Sequence, residues 1–236
     1  MKIITETMYK RLPRNMTKLI IFDWDDVIIL GAKKGYYNCY KKTLKELGIV
    51  LDEKEIDKRI QDTWGNTDRE ILTELLKENQ NFVNKACEIF YDKEFYGNTF
   101  IDSLKEIQGV NELLIRLKGK YKLAIASANK IDMIIDKIIP KFNIPNVFDQ
   151  IVTVDDAPVG KSKPDPYMLQ LILKKQGVSN KETLFIGDAK NDVLMAKNAG
   201  IEPVVVLTGL ISKTQAEALG VKYILSDVTK IEEILT

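Results

Sequence analysis

A chain of 236 residues with 45% apolar side chains can bury one sizeable core, or one domain carrying a smaller inserted one. Its 35 basic and 34 acidic residues leave a formal net charge of +1, which gives no general attraction to nucleic acid or to an anionic membrane. Histidine is absent, which excludes Ser-His-Asp and Cys-His chemistry and most zinc sites, and Cys39 and Cys87 are too far apart for a CxxC pattern, so any metal would be held mainly by oxygen.

From Met1 to Lys18 charged residues interrupt every apolar stretch, so nothing of signal-peptide length appears, and no later segment is long enough to span a bilayer. The expectation is a cytoplasmic chain without a membrane partner, with residues 1–17 as a candidate extension ahead of the fold, open between a real extension and an upstream start choice before Met16. Lys18 to Phe22 is a nearly all-apolar run that stops at Asp23, the pattern of a strand buried on both faces of a parallel sheet. From Gly31 to about Ile107 strand signals nearly vanish. Helices are predicted over Ala32 to Leu47, stopped by Gly48, and over Asp52 to Trp64. A third runs over Asp68 to Glu78, capped by Thr67 with Glu70, and a fourth over Asn81 to Tyr96. Tyr36, Tyr37 and Tyr40 recur at helical spacing and read as core.

Beyond this stretch, strands predicted at 121–126, 150–154, 183–186, 203–207 and 223–225 alternate with helices. The helices are Val110 to Leu117, Pro166 to Lys175, Asp192 to Ala199 and Val228 to Leu235. Strand alternating with helix implies an α/β fold with a doubly wound, Rossmann-like parallel sheet. Four helices between the first two strands are too many for a crossover. The expected organisation is a catalytic core of 1–30 and 108–236, with a helical cap domain of 31–107 inserted above the C-terminal edge of the sheet.

In such a sheet ligands bind beyond the C-terminal strand ends. The first strand is followed by Asp23-Trp24-Asp25-Asp26 and the second by Ser127-Ala128-Asn129. The third leads into a loop with Lys161 and Lys163, and the fourth into Gly187-Asp188 and, four residues on, Asp192. Asp23 and Asp25 alternate along an extended chain; Asp188 and Asp192 share one side of a helix start. Carboxylates crowded together repel unless a cation sits among them, and without nitrogen or sulfur ligands Mg²⁺ is the natural occupant. Lys163 and the Ser127 hydroxyl then offer a charge and a hydrogen bond to phosphoryl oxygens, and phosphoryl transfer needs little beyond neutralisation and in-line positioning. Asp188 and Ser127 could instead cap helices; Trp24 reads as packing, and Asp155 and Asp156 as solvated loop.

The stretch Phe22-Asp23-Trp24-Asp25-Asp26, Ser127, Lys163-Pro164-Asp165-Pro166 and the run from Gly187 to Gly200 resemble, in order, the four motifs of the haloacid dehalogenase superfamily. The resemblance covers the chain from about Lys18 onward, and the helical insert is similar to the cap of its phosphoglycolate phosphatase and β-phosphoglucomutase branch. Asp26 and Val27 stand where many members carry glycine and threonine. The resemblance implies Asp23 as nucleophile and metal contact. It implies Asp25 as general acid and base, its carbonyl binding the metal, Asp188 as a metal ligand, and Asp192 as a ligand directly or through water. Lys163, favoured over Lys161 by the proline after it, would steady Asp23 and the phosphoryl group. The expected activity is a Mg²⁺-dependent phosphatase acting on a small phosphate monoester, phosphoglycolate or a sugar phosphate, through an aspartyl phosphate. A phosphomutase carries the same motifs, and a phospho-accepting signalling module ranks below both. Substrate contacts are expected from Ser127, Ala128 and Asn129, and from Gly65, Asn66, Thr67 and Arg69 of the cap. Monomer and dimer are both open.

Overall fold

Leu19, Ile20, Ile21 and Phe22 are all fully buried, as a strand covered on both faces requires. They form β1 (Leu19–Phe22) in the computed structural model, which describes residues 17–63 and 67–235. The other strands are β2 (Ile29–Leu30), β3 (Lys105–Glu106), β4 (Lys122–Ser127), β5 (Gln150–Thr153), β6 (Thr183–Gly187), β7 (Glu202–Val206) and β8 (Tyr223–Leu225). Six of them make one sheet in the order β5-β4-β1-β6-β7-β8, parallel throughout. β1 lies between β4 and β6, with Phe22 opposite Ile125 on one side and Ile186 on the other. From β1 the chain winds outward to β5, then returns beside β1 as β6 and winds the other way. The reversal at β1 is a topological switch point, where open α/β sheets leave a crevice at the C-terminal strand ends.

The chain divides into two compact units, one holding the residues up to Ile28 and from Glu106 on, the other Ile29–Lys105. In the second unit lie α1 (Ala32–Glu46), α2 (Glu53–Thr63), α3 (Asp68–Leu75), α4 (Val83–Glu88) and α5 (Asn98–Ile101). Its boundaries differ slightly from 31–107, because the short strands β2 and β3 pair with each other at the junctions. The capping box at Thr67 is present: Glu70 N–H donates to the Thr67 hydroxyl and Thr67 N–H to the Glu70 carboxylate. α3 ends three residues short of the expected Glu78. Buried Arg59 of α2 donates to the Glu74 and Leu75 carbonyls and pairs with Glu78, taking acceptors that a longer helix would have used. After α4 the chain continues through a wide π-helical stretch, Ile89–Phe95, whose Phe90 stacks on Tyr40 at 4.8 Å between centroids. Tyr40 is buried as expected, while Tyr36 stacks on Phe95.

The first unit adds α6 (Val110–Lys118), α7 (Ile139–Phe142), α8 (Tyr167–Gln176), α9 (Lys190–Asn198) and α10 (Lys213–Ala218). α6 buries Val110, Leu113, Leu114 and Leu117, the face its spacing predicts. Met168, Leu169 and Ile172 of α8 pack with Met195 and Ala196 of α9 in one core cluster that includes Leu19, Ile21 and Phe185. Three features differ from the sequence reading. A π-helical turn, Met133–Ile138, leads into α7; Pro140 and the β-branched run around it obscured the helix. α10, only six residues long, was too short to show a period. The C-terminal helix is 3₁₀ over Val228–Glu233. The candidate extension to residue 16 and the expected helix end at Trp64 lie outside the described residues. No helix among the described residues is long and apolar enough to cross a membrane.

Ile21→Ala removes a fully buried side chain from the central strand. It should destabilise the protein by about 2–5 kcal/mol, read as a lower urea midpoint with secondary structure retained at zero denaturant.

Candidate active site

Asp23 stands one residue past β1, where its N–H still donates to Ile186 O at 2.8 Å, so the sheet ladder fixes where its side chain begins. The next residues form a turn in which Val27 and Ile28 N–H donate back to Trp24 O. Trp24 is fully buried and packs edge-on against Phe148. Asp26 takes φ 54°, a left-handed conformation that glycine adopts freely and that Asp tolerates better than most residues. That backbone requirement accounts for aspartate where glycine is common.

Two strand ends and one helix start deliver carboxylates to one point. Asp23 follows β1, Asp188 follows β6, and Asp192 lies in the first turn of α9. All three are buried, and each offers an oxygen within 4.8 Å of the others. Lys163 supplies the countercharge, with its Nζ 2.8 Å from Asp23 Oδ1 and 2.7 Å from Asp192 Oδ1. The ammonium also lies 5.7 Å from the Phe185 ring centroid. Lys161, the other candidate in this loop, instead pairs with Asp165 at the surface. Asp192 Oδ2 accepts the N–H groups of Asp188 at 3.1 Å and Ala189 at 3.0 Å, closing the turn into α9. Gly187 makes that turn fit: a Cβ there would stand 2.4 Å from Asp192 Cβ.

Burial sets the electrostatics. It pushes Asp23 up to about 6, with Lys163 opposing and Asp192 adding to the rise. It raises Asp188 well above the usual carboxylate range, helped by Asp192 and Asp23. Burial alone would lower Lys163, but the Asp192 and Asp23 carboxylates outweigh it and raise the ammonium above its ordinary value. One lysine among three buried carboxylates leaves a net negative hole. The donors are all oxygen, so the set fits a hard divalent cation such as Mg²⁺. Among the described residues this is the one group of potential ligands so close together.

Asp25 lies beside this cluster. Asn129 Nδ2 donates to its two oxygens at 3.1 and 3.0 Å, while Asn129 Oδ1 accepts from Lys130 N–H. Burial, then Asp23 and Asp26, raises Asp25 well above the usual range. Ser127, fully buried at the end of β4, accepts a hydrogen bond from Asn129 N–H, and Ala128 is exposed. Asp155 pairs with Lys130 and Asp156 accepts from Thr153 N–H, so both serve the loop. Thr67 and Arg69 belong to the helical unit; the Thr67 hydroxyl caps α3, and Arg69 donates to Asn84 Oδ1 at 2.7 Å. Gly65 and Asn66 lie outside the described residues.

Sequence reasoning missed the loop after β7. Leu210 N–H donates to Asp188 Oδ2 at 3.0 Å, Ile211 N–H donates to Asp188 O at 2.8 Å, and the Thr208 hydroxyl donates to Asp26 O. No charged side chain marks this loop; its one visible signal is Gly209 at the C-terminal end of a strand.

Residues 20–206 match the family model of the haloacid dehalogenase-like hydrolases. A phosphoglycolate phosphatase of Aquifex aeolicus is 30% identical over 195 residues, which cover 82% of this chain and 86% of that protein. A phosphorylated carbohydrates phosphatase of Thermotoga maritima is 28% identical over 184 residues, covering 78% and 82%. Among solved structures, a Thermotoga maritima protein assigned as a β-phosphoglucomutase superposes with a TM-score of 0.73 at 25% identity, covering 93% of this chain and all of that one.

Gly187→Ala should force Asp192 out of its place and cost about 1–3 kcal/mol. Gly119→Ala, whose added Cβ meets only Arg116 O at an ordinary 3.5 Å, should leave the melting temperature nearly unchanged. Differential scanning calorimetry of the two variants checks this contrast.

Proposed function

The chain belongs to the haloacid dehalogenase-like hydrolase family, and from that premise we propose that it is a Mg²⁺-dependent phosphatase of small phosphate monoesters. The observation that carries the reading is the buried set of Asp23, Asp188 and Asp192 with Lys163 bridging Asp23 and Asp192. Asp23, Asp188, Asp192 and the Asp25 carbonyl would hold the ion; when bound, it neutralises phosphoryl oxygens and the charge that builds on them.

In the proposed reaction an Asp23 oxygen attacks phosphorus. The bond to the leaving oxygen breaks, and Asp25 gives that oxygen its proton. Water then attacks the aspartyl phosphate, Asp25 takes the water's proton, and phosphate departs with the Asp23 carboxylate restored. Two electrostatic features support these roles. Lys163 opposes the rise at Asp23, so a group pushed up to about 6 remains mostly ionised at neutral pH, as a nucleophile must be. Burial and neighbouring charge favour the protonated form of Asp25, the form a general acid needs. Ser127, with the backbone of Ala128 and Asn129, is assigned to the phosphoryl oxygens.

The curated relatives named for phosphoglycolate and for phosphorylated carbohydrates support a small phosphorylated metabolite as substrate. Selectivity for its leaving group is assigned to the helical unit, in the segment of Gly65, Asn66, Thr67 and Arg69. The structural neighbour assigned as a β-phosphoglucomutase keeps a second reading in view, in which the aspartyl phosphate passes to a sugar hydroxyl. A sugar phosphate isomerised after priming by a bisphosphate, with little phosphate released, would favour the mutase.

Asp23→Asn keeps the shape of the side chain and removes the nucleophile. It should lower phosphate release from a panel of phosphate monoesters by at least roughly a thousandfold with the fold intact; near-normal release would eliminate the covalent route. Exhaustive chelation should silence the wild-type protein, Mg²⁺ should restore it, and Ca²⁺, with a larger and looser coordination shell, should restore it poorly. Turnover that survives chelation would remove the metal from the proposal.

A further inference from the structure

The loop after β7 touches both carboxylate-bearing turns and carries no titratable group of its own. On one side, Leu210 N–H donates to Asp188 Oδ2 and, with Ile211 N–H, to Asp188 O, so that one residue gives up two acceptors to three bonds. On the other side, the Thr208 hydroxyl donates to Asp26 O, in the turn that runs on from Asp23. That carbonyl belongs to the residue held at φ 54°, the least comfortable conformation in the turn. Between the two grips lies Gly209, whose added Cβ would fall 1.7 Å from Asp188 Oδ2. Only a bare backbone lets the loop approach this close.

We propose that Thr208–Ile211 is the clamp that sets the distance between Asp188 and the Asp23–Asp26 turn, with Thr208 and Gly209 as positioning residues for divalent-cation binding. The inference rests on the metal reading above. Its physical logic is that Asp23 and Asp188 repel each other, and the parallel ladder between β1 and β6 fixes their backbones but not their side chains. A hydrogen bond to Oδ2 fixes the rotation of the Asp188 carboxylate. A hydrogen bond to Asp26 O fixes the curvature of the turn that follows Asp23. Groups behind metal ligands usually change affinity by roughly tenfold to a hundredfold when removed.

The test is a titration of the full-length protein with Mn²⁺, followed by electron paramagnetic resonance of the free ion, for wild type, Thr208→Val, Thr208→Ser and Asp188→Asn. Thr208→Val keeps the shape and loses the donor; its Mn²⁺ dissociation constant should rise about tenfold, and Thr208→Ser should return it to near the wild-type value. Melting temperatures without metal separate this effect from misfolding, since Thr208→Ser must fold for the comparison and Thr208→Val should melt within a few degrees of it. Wild-type Mn²⁺ affinity in Thr208→Val, alongside clear loss in Asp188→Asn, would overturn the clamp and leave the metal site standing. Undiminished affinity in Asp188→Asn would instead overturn the metal reading itself.

Discussion

The contact on which the site depends is the ammonium of Lys163 lodged between Asp23 and Asp192. Three buried carboxylates with oxygens within 4.8 Å of one another cannot all be charged without compensation, because burial and repulsion both favour protonation. The lysine offsets part of that cost, and it does so from the loop between β5 and α8, far from Asp23 in sequence. Deleting either side of such a buried pair leaves an uncompensated charge, which is more damaging than never having had the pair. The compensation is incomplete: one positive charge faces three carboxyl groups, which is the arrangement the proposed cation would complete.

Rigid scaffolding makes this tension bearable. β1 and β6 are adjacent, parallel and buried, and their register sets Phe22 against Ile186 and so delivers Asp23 and Asp188 side by side. Asp192 is held by the N–H groups of Asp188 and Ala189, which makes it a local cap as well as a member of the cluster. The capping role and the site role do not compete, since one oxygen serves the backbone and the other meets Lys163.

Most of the sheet and the charged members of the site were legible because they are written in local pattern. Leu19–Phe22 is an apolar run that stops at an aspartate, and Asp188 and Asp192 stand four apart at a helix start. Lys163 was separable from Lys161 by resemblance alone; the structure adds the reason, since Lys161 is spent on Asp165. What stayed hidden was carried by backbone groups and by neutral residues. Leu210 N–H, the Thr208 hydroxyl and the missing side chain of Gly209 leave almost no compositional trace, yet they contact Asp188 and the Asp26 turn. The Arg59 cap on the α3 carbonyls was hidden for a different reason: its partners lie in another helix, and an arginine in a helix of charged residues reads as solvent-facing.

β1 is an early segment that waits for late partners. Leu19 pairs with Lys122 on one edge and Thr183 on the other, so during synthesis both edges of this uncharged strand stay open while most of the chain is still being made. Parallel pairings of such long sequence separation form slowly, and an exposed apolar strand is a template for unwanted pairing. The cost falls on the ribosome-bound chain rather than on the finished protein. A chain cut before β6 would keep Lys163 but carry neither Asp188 nor Asp192, so it would hold the counter-charge of the site without two of the three carboxylates that the charge serves.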